Sequence, residues 1–303
     1  MAPEITVILN ASARQADENR ANRQLAEIFS SKGVEASIWL GRGGGEIVGL
    51  ARRAAKSESA VVVAGGGDGT INAIASELVD TGKVLGVLPL GTLNHFAKDL
   101  NIPLDLEAAV DVLNERNTVA VDIGEVNGLY FLNNSGLGLY PRIVEEREEQ
   151  QAGGRRKWLA FFSALLIIIH RYPLLTVRLD ADGRELLRRT PIVFIGNNEY
   201  ELQGLQMGSR KCINAGRLFL YVTRQMTRWS LFRMGLHALF GKLYEAKDFD
   251  AMCVKELWVH ARRRRLKVAL DGEITALKPP LRYRIHPAAL RVIVPANKKE
   301  SGR

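Results

Sequence analysis

The sequence predicts an α/β domain followed by a mainly antiparallel β-sandwich domain. Three observations carry this. Up to about residue 118, short β-branched runs alternate with helical patterns, which implies parallel strands with helices on both faces. After that point strands follow one another with few helices between them. Two of the later joins, Asn127-Gly128 and Asp182-Gly183, are dipeptides that favour two-residue hairpin turns.

The elements follow in order. EITVILN (4–10) is a short strand. Residues 18–33 read as a helix with Leu25, Ile28 and Phe29 on one face and Gly33 as its stop. A strand (34–40), a helix (46–56), a buried strand (60–65), a helix (70–83) and a strand (84–90) come next. Residues 118–138 read as two strands joined at Asn127-Gly128, and 174–198 as another hairpin turning at Asp182-Gly183. Further strands are expected at 217–224, 254–263, 265–272 and 281–287, with helical insertions near 141–171 and 228–245. The seam falls near Val121 to Gly124. This assigns 1–123 to the first domain, with about 287–303 returning to it, and 124–286 to the second.

Composition limits the function classes. A chain of 303 residues suggests about two domains. Apolar residues at 47% suffice for substantial cores, and charge at 25% is ordinary. The formal net charge of +9 favours acidic partners such as phosphates or an anionic membrane surface. No helix-turn-helix, finger or RNA-stacking pattern is present, so no nucleic acid is expected as partner. Cys212 and Cys253 lack CxxC spacing and a nearby His, which argues against zinc. The start MAPEITVILN shows no signal-peptide pattern. The most apolar run, Trp158 to His170, is shorter than the roughly 20 residues of a spanning helix. Its apolar residues lie on all sides, which favours a buried helix over a membrane-docking one. A cytoplasmic protein with peripheral membrane association is expected.

The chemistry concentrates in glycine-rich strand ends. VVVAGGGDGTINAIA (61–75) leaves a strand through glycines into a helix. Glycines let backbone approach a ligand closely, and the N–H groups of a helix start attract anions. The loop is neither a Walker A sequence nor GxGxxG. Asp68 within it would repel bare phosphate, so its use implies magnesium or a proton to handle. The alternative is a tight turn with Asp68 as N-cap. A second loop, LPLGTLNHFAKDLNIP (88–103), also leaves a strand through Gly-Thr. There Thr92 and Asn94 can donate to phosphate oxygens. Two such loops in successive units are harder to dismiss, because ligands bind at the carboxyl ends of parallel strands.

GGGDGTINAIA and GTLNHFAKDL together resemble the paired motifs of the diacylglycerol kinase catalytic-domain family. This family includes soluble bacterial lipid kinases and the sphingosine kinases. ILNASA (8–13) resembles its first strand and LDGE (270–273) its late carboxylate motif, so the resemblance runs from about residue 5 to 275. It implies an α/β nucleotide domain, a β-sandwich domain, an active site in the interdomain cleft, and transfer of the ATP γ-phosphoryl group to a lipid hydroxyl with magnesium. Gly66, Gly67, Asp68, Gly69 and Thr70 would border the phosphates, and Asn10, Thr92 and Asn94 would add contacts. Asp68 would organise magnesium. Asp271 and Glu273, taken as alternate positions on a strand end facing the cleft, would be the general base and its partner or a magnesium ligand. Read without the resemblance, Asp271-Gly272 is a surface turn.

Two departures stand out. His95 occupies a position where the family often carries Asp. KCINAGRLFLYVT (211–223) has Asn214, Ala215, Gly216 and then Phe219 where members commonly read Asp-Asp-Gly followed by Leu-Leu-Asp, so carboxylates of a structural metal site are missing, which puts that site in doubt. The run Arg262 to Arg265 is either a solvated turn or a contact for anionic headgroups. The competing functions are a kinase of a soluble substrate, of the NAD kinase type, and a non-catalytic lipid- or nucleotide-binding homologue. A homodimer stays open. Diacylglycerol, sphingoid bases and other hydroxylated lipids all remain as acceptors.

Overall fold

The computed structural model describes residues 4–11, 18–139, 141, 174–203, 206–210, 212–223 and 249–296. The acidic run 145–150, the apolar run 158–170 and both expected helical insertions lie outside the described residues, apart from Pro141. The chain divides into two compact units, Met1–Ile123 with His286–Arg303, and Gly124–Ile285.

The first unit is an α/β domain. Its elements run β1 (Ile5–Asn10), α1 (Glu18–Ser31), β2 (Ala36–Gly41), α2 (Gly44–Ala55), β3 (Val61–Gly66), α3 (Asp68–Leu78), β4 (Val84–Pro89), α4 (His95–Asp99) and α5 (Leu106–Glu115), then the start of β5 (Thr118–Val126). β1 pairs in parallel with β2 on one side and β3 on the other, and β3 pairs in parallel with β4. The order β2-β1-β3-β4 continues through Arg291 and Val292 of β18 (Leu281–Ile293), parallel to Val84 and Leu85. The chain leaves β1 in one direction for β2 and crosses to the other side for β3. The carboxyl ends of β1 and β3 are therefore the place where an open parallel sheet accepts ligands.

Helix spacing explains the layering. α2 buries Ile47, Ala51 and Ala54, and α3 buries Ile71, Ile74, Ala75 and Leu78, the one-face pattern of amphipathic helices. α5 starts where the Asp105 carboxylate accepts the Ala108 N–H at 3.0 Å, a side-chain N-cap. α3 begins two residues earlier than the sequence suggests and stops at Leu78. Asp80 and Gly82 beyond it take positive φ, which ends helical geometry.

The second unit is a β-sandwich. It contains β6 (Leu129–Phe131), β7 (Asn134–Gly138), β8 (Leu175–Ala181), β9 (Arg184–Thr190), β10 (Ile192–Asn197), β11 (Tyr200–Gln203), β12 (Gln206–Arg210), β13 (Leu218–Thr223), β14 (Phe249–Val254), β15 (Glu256–Ala261), β16 (Leu266–Leu270) and β17 (Glu273–Leu277). One antiparallel face is β9-β8-β15 with the start of β18; the other is β14-β13-β10-β7-β16-β17. Their inner side chains, among them Val177, Leu179, Leu257, Val259, Val193, Leu220, Val268 and Tyr283, form one core. The expected strand at 254–263 is broken at Lys255 into the end of β14 and β15, and β18 runs past Pro287 to Ile293.

Three two-residue turns share one design. Asn127-Gly128, Asp182-Gly183 and Asp271-Gly272 all have positive φ at both positions, as type I′ hairpins require. In each, the first side chain also accepts backbone N–H groups from another segment. Asn127 takes Arg282 at 2.7 Å, and Asp182 takes Glu256 at 2.9 Å and Lys255 at 3.0 Å. Asp271 takes Leu132, Asn133 and Asn134 at 2.7–2.9 Å.

Candidate active site

In the first unit the strand ends bring the two glycine loops together. β3 and β4 run side by side to Gly66 and Pro89, and the Leu90 N–H donates to the Gly66 carbonyl at 3.0 Å. A Cβ on Gly91 would come within 2.4 Å of the Gly67 Cα, so glycine at 91 is needed for the loops to touch. A Cβ on Gly66 would press on the Thr70 side chain at 2.6 Å. Thr70 is buried, and its hydroxyl accepts the Asn10 side-chain amide at 3.0 Å. Asn10, Gly66, Gly67, Gly69, Thr70 and the 91–95 loop thus belong to adjoining strand ends and helix starts.

Asp68 joins the loops. It is the first residue of α3, whose N-cap is Gly67 with no side-chain cap. The alternative reading, Asp68 as the cap of its own helix, is not what the structure shows: its carboxylate accepts the His95 and Phe96 N–H groups, each at 3.1 Å. It caps α4 instead. The first turn of α3 thus has no side-chain cap, the kind of helix start that suits a phosphate.

Thr92 is exposed, with its hydroxyl at the loop surface. Asn94 is buried and its backbone is left-handed, with φ 50°. Its amide accepts the Gly91 N–H at 3.0 Å and donates to the Gly91 carbonyl at 2.7 Å. The donor expected from Asn94 is committed to shaping its own loop.

In the second unit the late carboxylates do not alternate along a strand as the sequence suggests. Asp271 sits in the turn, and Glu273 opens β17 paired with Leu270. Three backbone donors fill most of the four or so acceptor positions of the Asp271 carboxylate. Glu273 is exposed, and its side chain makes no hydrogen bond or ion pair among the described residues.

The segment receiving Asp271 is rigidly backed, and sequence reasoning missed it. The Asn133 carbonyl accepts the Asn197 N–H at 2.8 Å and the Tyr200 hydroxyl at 3.0 Å. Ser135 meets the Tyr283 hydroxyl at 3.0 Å, and burial pushes the Tyr283 phenol above its ordinary range. The buried Asn133 Oδ1 has no partner among the described residues. The only visible signal was Asn-Asn-Ser-Gly directly after a hairpin.

The donor set for metal is thin. Among the described residues no cluster of three or more His, Cys, Asp or Glu could hold an ion. Around Ala215 the residues do not fit a structural cation site. Asn214 and Ala215 are exposed, and the Ala215 N–H donates to the Asn198 amide oxygen at 3.0 Å. The Asn198 N–H in turn donates to the Arg217 carbonyl at 3.1 Å. Asp68 is the one carboxylate at the glycine loops themselves, and its acceptor capacity exceeds the two N–H bonds it receives. It fits a magnesium ion carried in with phosphates.

Comparison with known proteins bears directly on this arrangement. Residues 4–126 match the model of the diacylglycerol kinase catalytic domain, and residues 143–294, half of the chain, match that of the YegS C-terminal NAD kinase beta sandwich-like domain. The chain belongs to the diacylglycerol kinase catalytic-domain family. Diacylglycerol kinase of Bacillus subtilis (strain 168) is 25% identical over 281 residues, 91% of each chain. Diacylglycerol kinase of Staphylococcus carnosus (strain TM300) is 31% identical over 167 residues, 54% of each chain. The crystal structure of a diacylglycerol kinase from Bacillus anthracis str. Sterne superposes with a TM-score of 0.72 at 20% identity, covering 97% of this chain and 98% of that one. At family level the protein is a lipid kinase. The expected fold, an α/β domain with a parallel sheet followed by an antiparallel β-sandwich, is the one observed. No helix among the described residues is long and apolar enough to cross a membrane.

Proposed function

We propose that the protein transfers the γ-phosphoryl group of ATP to the hydroxyl of a diacylglycerol-like lipid, in a magnesium-dependent reaction at a membrane surface. The observation that carries this is the clasp of Asp68 on the N-terminus of α4. It holds the two glycine loops together at adjoining strand ends, within the region matched by the kinase catalytic domain. The N–H groups at Gly66, Gly67, Gly69 and Thr70 donate to phosphate oxygens, with the Thr92 hydroxyl beside them. Asn10 and Asn94 act indirectly, by holding Thr70 and the 91–95 loop. Asp68 would hold a magnesium ion, which when bound would supply neutralisation of the phosphate charge.

The bond between the γ-phosphorus and its bridging oxygen breaks and ADP leaves with the electron pair. The lipid oxygen bonds to phosphorus, and its proton goes to a carboxylate. We assign that base to Glu273, because Asp271 is engaged by three backbone donors while Glu273 is open to solvent. Asp271 then positions the turn that presents it.

The test is ATP turnover against hydroxylated lipids in mixed micelles with magnesium, reading product by mass. Asp68→Ala serves as control and NAD as a soluble competitor. A phosphorylated lipid that disappears in the variant is expected. Phosphorylation of NAD and of no lipid would overturn the reading, as would failure to bind ATP.

A further inference from the structure

We propose that the outward face of β9, β8 and β15, together with the 262–265 turn at its end, docks the protein onto an anionic lipid bilayer. This rests on the lipid-kinase reading, which supplies a reason to visit a bilayer but names no surface.

The pleat separates the two sides of this sheet. Leu175, Val177, Leu179, Leu257 and Val259 point into the sandwich core, so their neighbours along each strand point outward. Register then places the outward residues in rows. Arg189 lies opposite Thr176; Leu187 and His260 flank Arg178; Glu185 and Trp258 flank Asp180. Ala261 lies opposite Val177, so the four arginines that follow it leave from the Thr176–Arg189 end.

Charge is divided along this face. Glu185 pairs with Arg178 at 3.7 Å, Glu256 with Arg282 at 2.6 Å, and the Asp180 carboxylate accepts the Gly183 N–H at 2.9 Å. Glu185 and Glu256 are thus ion-paired within the protein, and Asp180 is held by its own turn. Arg189, Arg262, Arg263, Arg264 and Arg265 are exposed and form no ion pair among the described residues. Next to this cationic end stands Leu187, 66% exposed, more than any other large exposed apolar side chain among the described residues. A lone exposed leucine is ordinary. Arg189 two residues along β9, and four more unpaired arginines beyond the end of β15, add an electrostatic contact to this apolar one, the combination that anionic bilayers reward.

Nucleic acid fits this face less well. Single strands need aromatic faces free for stacking. Trp258 already carries the Arg282 guanidinium 5.2 Å over its ring and stacks on His260 at 6.3 Å. β9 is also the last strand of its sheet, but arginines along it oppose pairing with a second copy.

The experiment uses the full chain and sedimentation with vesicles of phosphatidylcholine, with and without phosphatidylglycerol. Wild type should bind the anionic vesicles and lose them at high salt. Replacing Arg189 and Arg262 to Arg265 by Ser should weaken binding by about a thousand-fold, since each of the five basic residues near the surface contributes about five-fold. Leu187→Ser should weaken it a few-fold. Both variants should keep wild-type turnover of lipid in detergent micelles and wild-type thermal unfolding. Unchanged vesicle binding in the folded variants overturns the proposal. So does equal wild-type binding to neutral vesicles, tighter binding to single-stranded RNA, or variants that change only self-association. Wild type that turns over no micellar lipid would sink the kinase reading instead, and vesicle binding would still decide the surface separately.

Discussion

Asp68 Oδ1 accepts the Phe96 backbone N–H at 3.1 Å, across 28 positions of sequence, and so makes one structure of two loops. The carboxylate has two duties: it caps α4 and it presents negative charge beside the glycine loop. These can be separated. Asp68→Asn keeps one acceptor for α4 but loses the charge, whereas Asp68→Ala loses both.

Both Asp68 variants should lose lipid kinase turnover by at least about a hundred-fold, as charge stabilisation of phosphoryl transfer is removed. Only the Ala variant should also lose stability, by about 1 kcal/mol for an unmade cap. Chemical denaturation beside the kinase assay checks this. Full activity in a folded Asp68→Asn variant would remove the metal role.

The two late carboxylates should separate in the opposite way. Glu273→Gln should lower kcat by about 10²–10⁴ with unfolding unchanged, the span typical of a lost general base. Asp271→Ala strands three backbone donors. Unmet buried donors cost about 1–3 kcal/mol each, so a loss of several kcal/mol in stability is expected along with activity. If Glu273→Gln turns over normally, the base lies elsewhere.

The loop at Ala215 should behave as a metal-free closure. Without nucleotide, thermal unfolding should be the same in magnesium and in EDTA. Asn198→Ala should destabilise by about 1 kcal/mol, because the Ala215 N–H loses its acceptor. A magnesium-dependent rise in the wild-type unfolding temperature, with Asn198→Ala unaffected, would show that a cation does this work.

Glu256 supplies an acid-side signature. The hydrogen bond from Arg282, then its charge, holds the Glu256 carboxyl below its usual value. The folded pKa is therefore the lower one. The pair's contribution is present above the unfolded value and is lost as pH falls through the folded one. Side chains 42% and 37% exposed limit it to roughly 0.5 kcal/mol. Glu256→Gln should be slightly less stable than wild type at neutral pH, and the gap should close in acid. A gap that widens in acid would reverse the assignment.

Local chemistry was legible in the sequence, and long-range chemistry was not. The β–α alternation, the glycine strand ends and the turns at Asn127 and Asp182 follow from periodicity and positive-φ preference, which neighbouring residues decide. The reach of Asp68 to α4 is a tertiary contact between two loops, each of which reads as complete alone. Asp271 was misplaced for a related reason. Its Asp-Gly turn reads locally as a solvated corner, yet its carboxylate meets the 132–134 backbone, as Asp182 meets that of Lys255 and Glu256. The same pattern at a turn with no expected chemistry argues that Asp271 stitches the fold. β18 outran its expected end at Pro287 because the Asp122 carboxylate takes the Ala288 N–H at 2.8 Å, which holds the backbone through a left-handed residue.

The discontinuity of the first unit has a consequence during synthesis. β4 finds its outer neighbour in Arg291 and Val292, which a ribosome makes only after the whole of Gly124–Ile285. At about 5–20 residues per second, the nascent sheet keeps one bare edge for roughly 10–30 s. A bare edge is a template for unwanted pairing. The α/β half, though translated first, is completed last, and the β-sandwich has all its strands in hand before it.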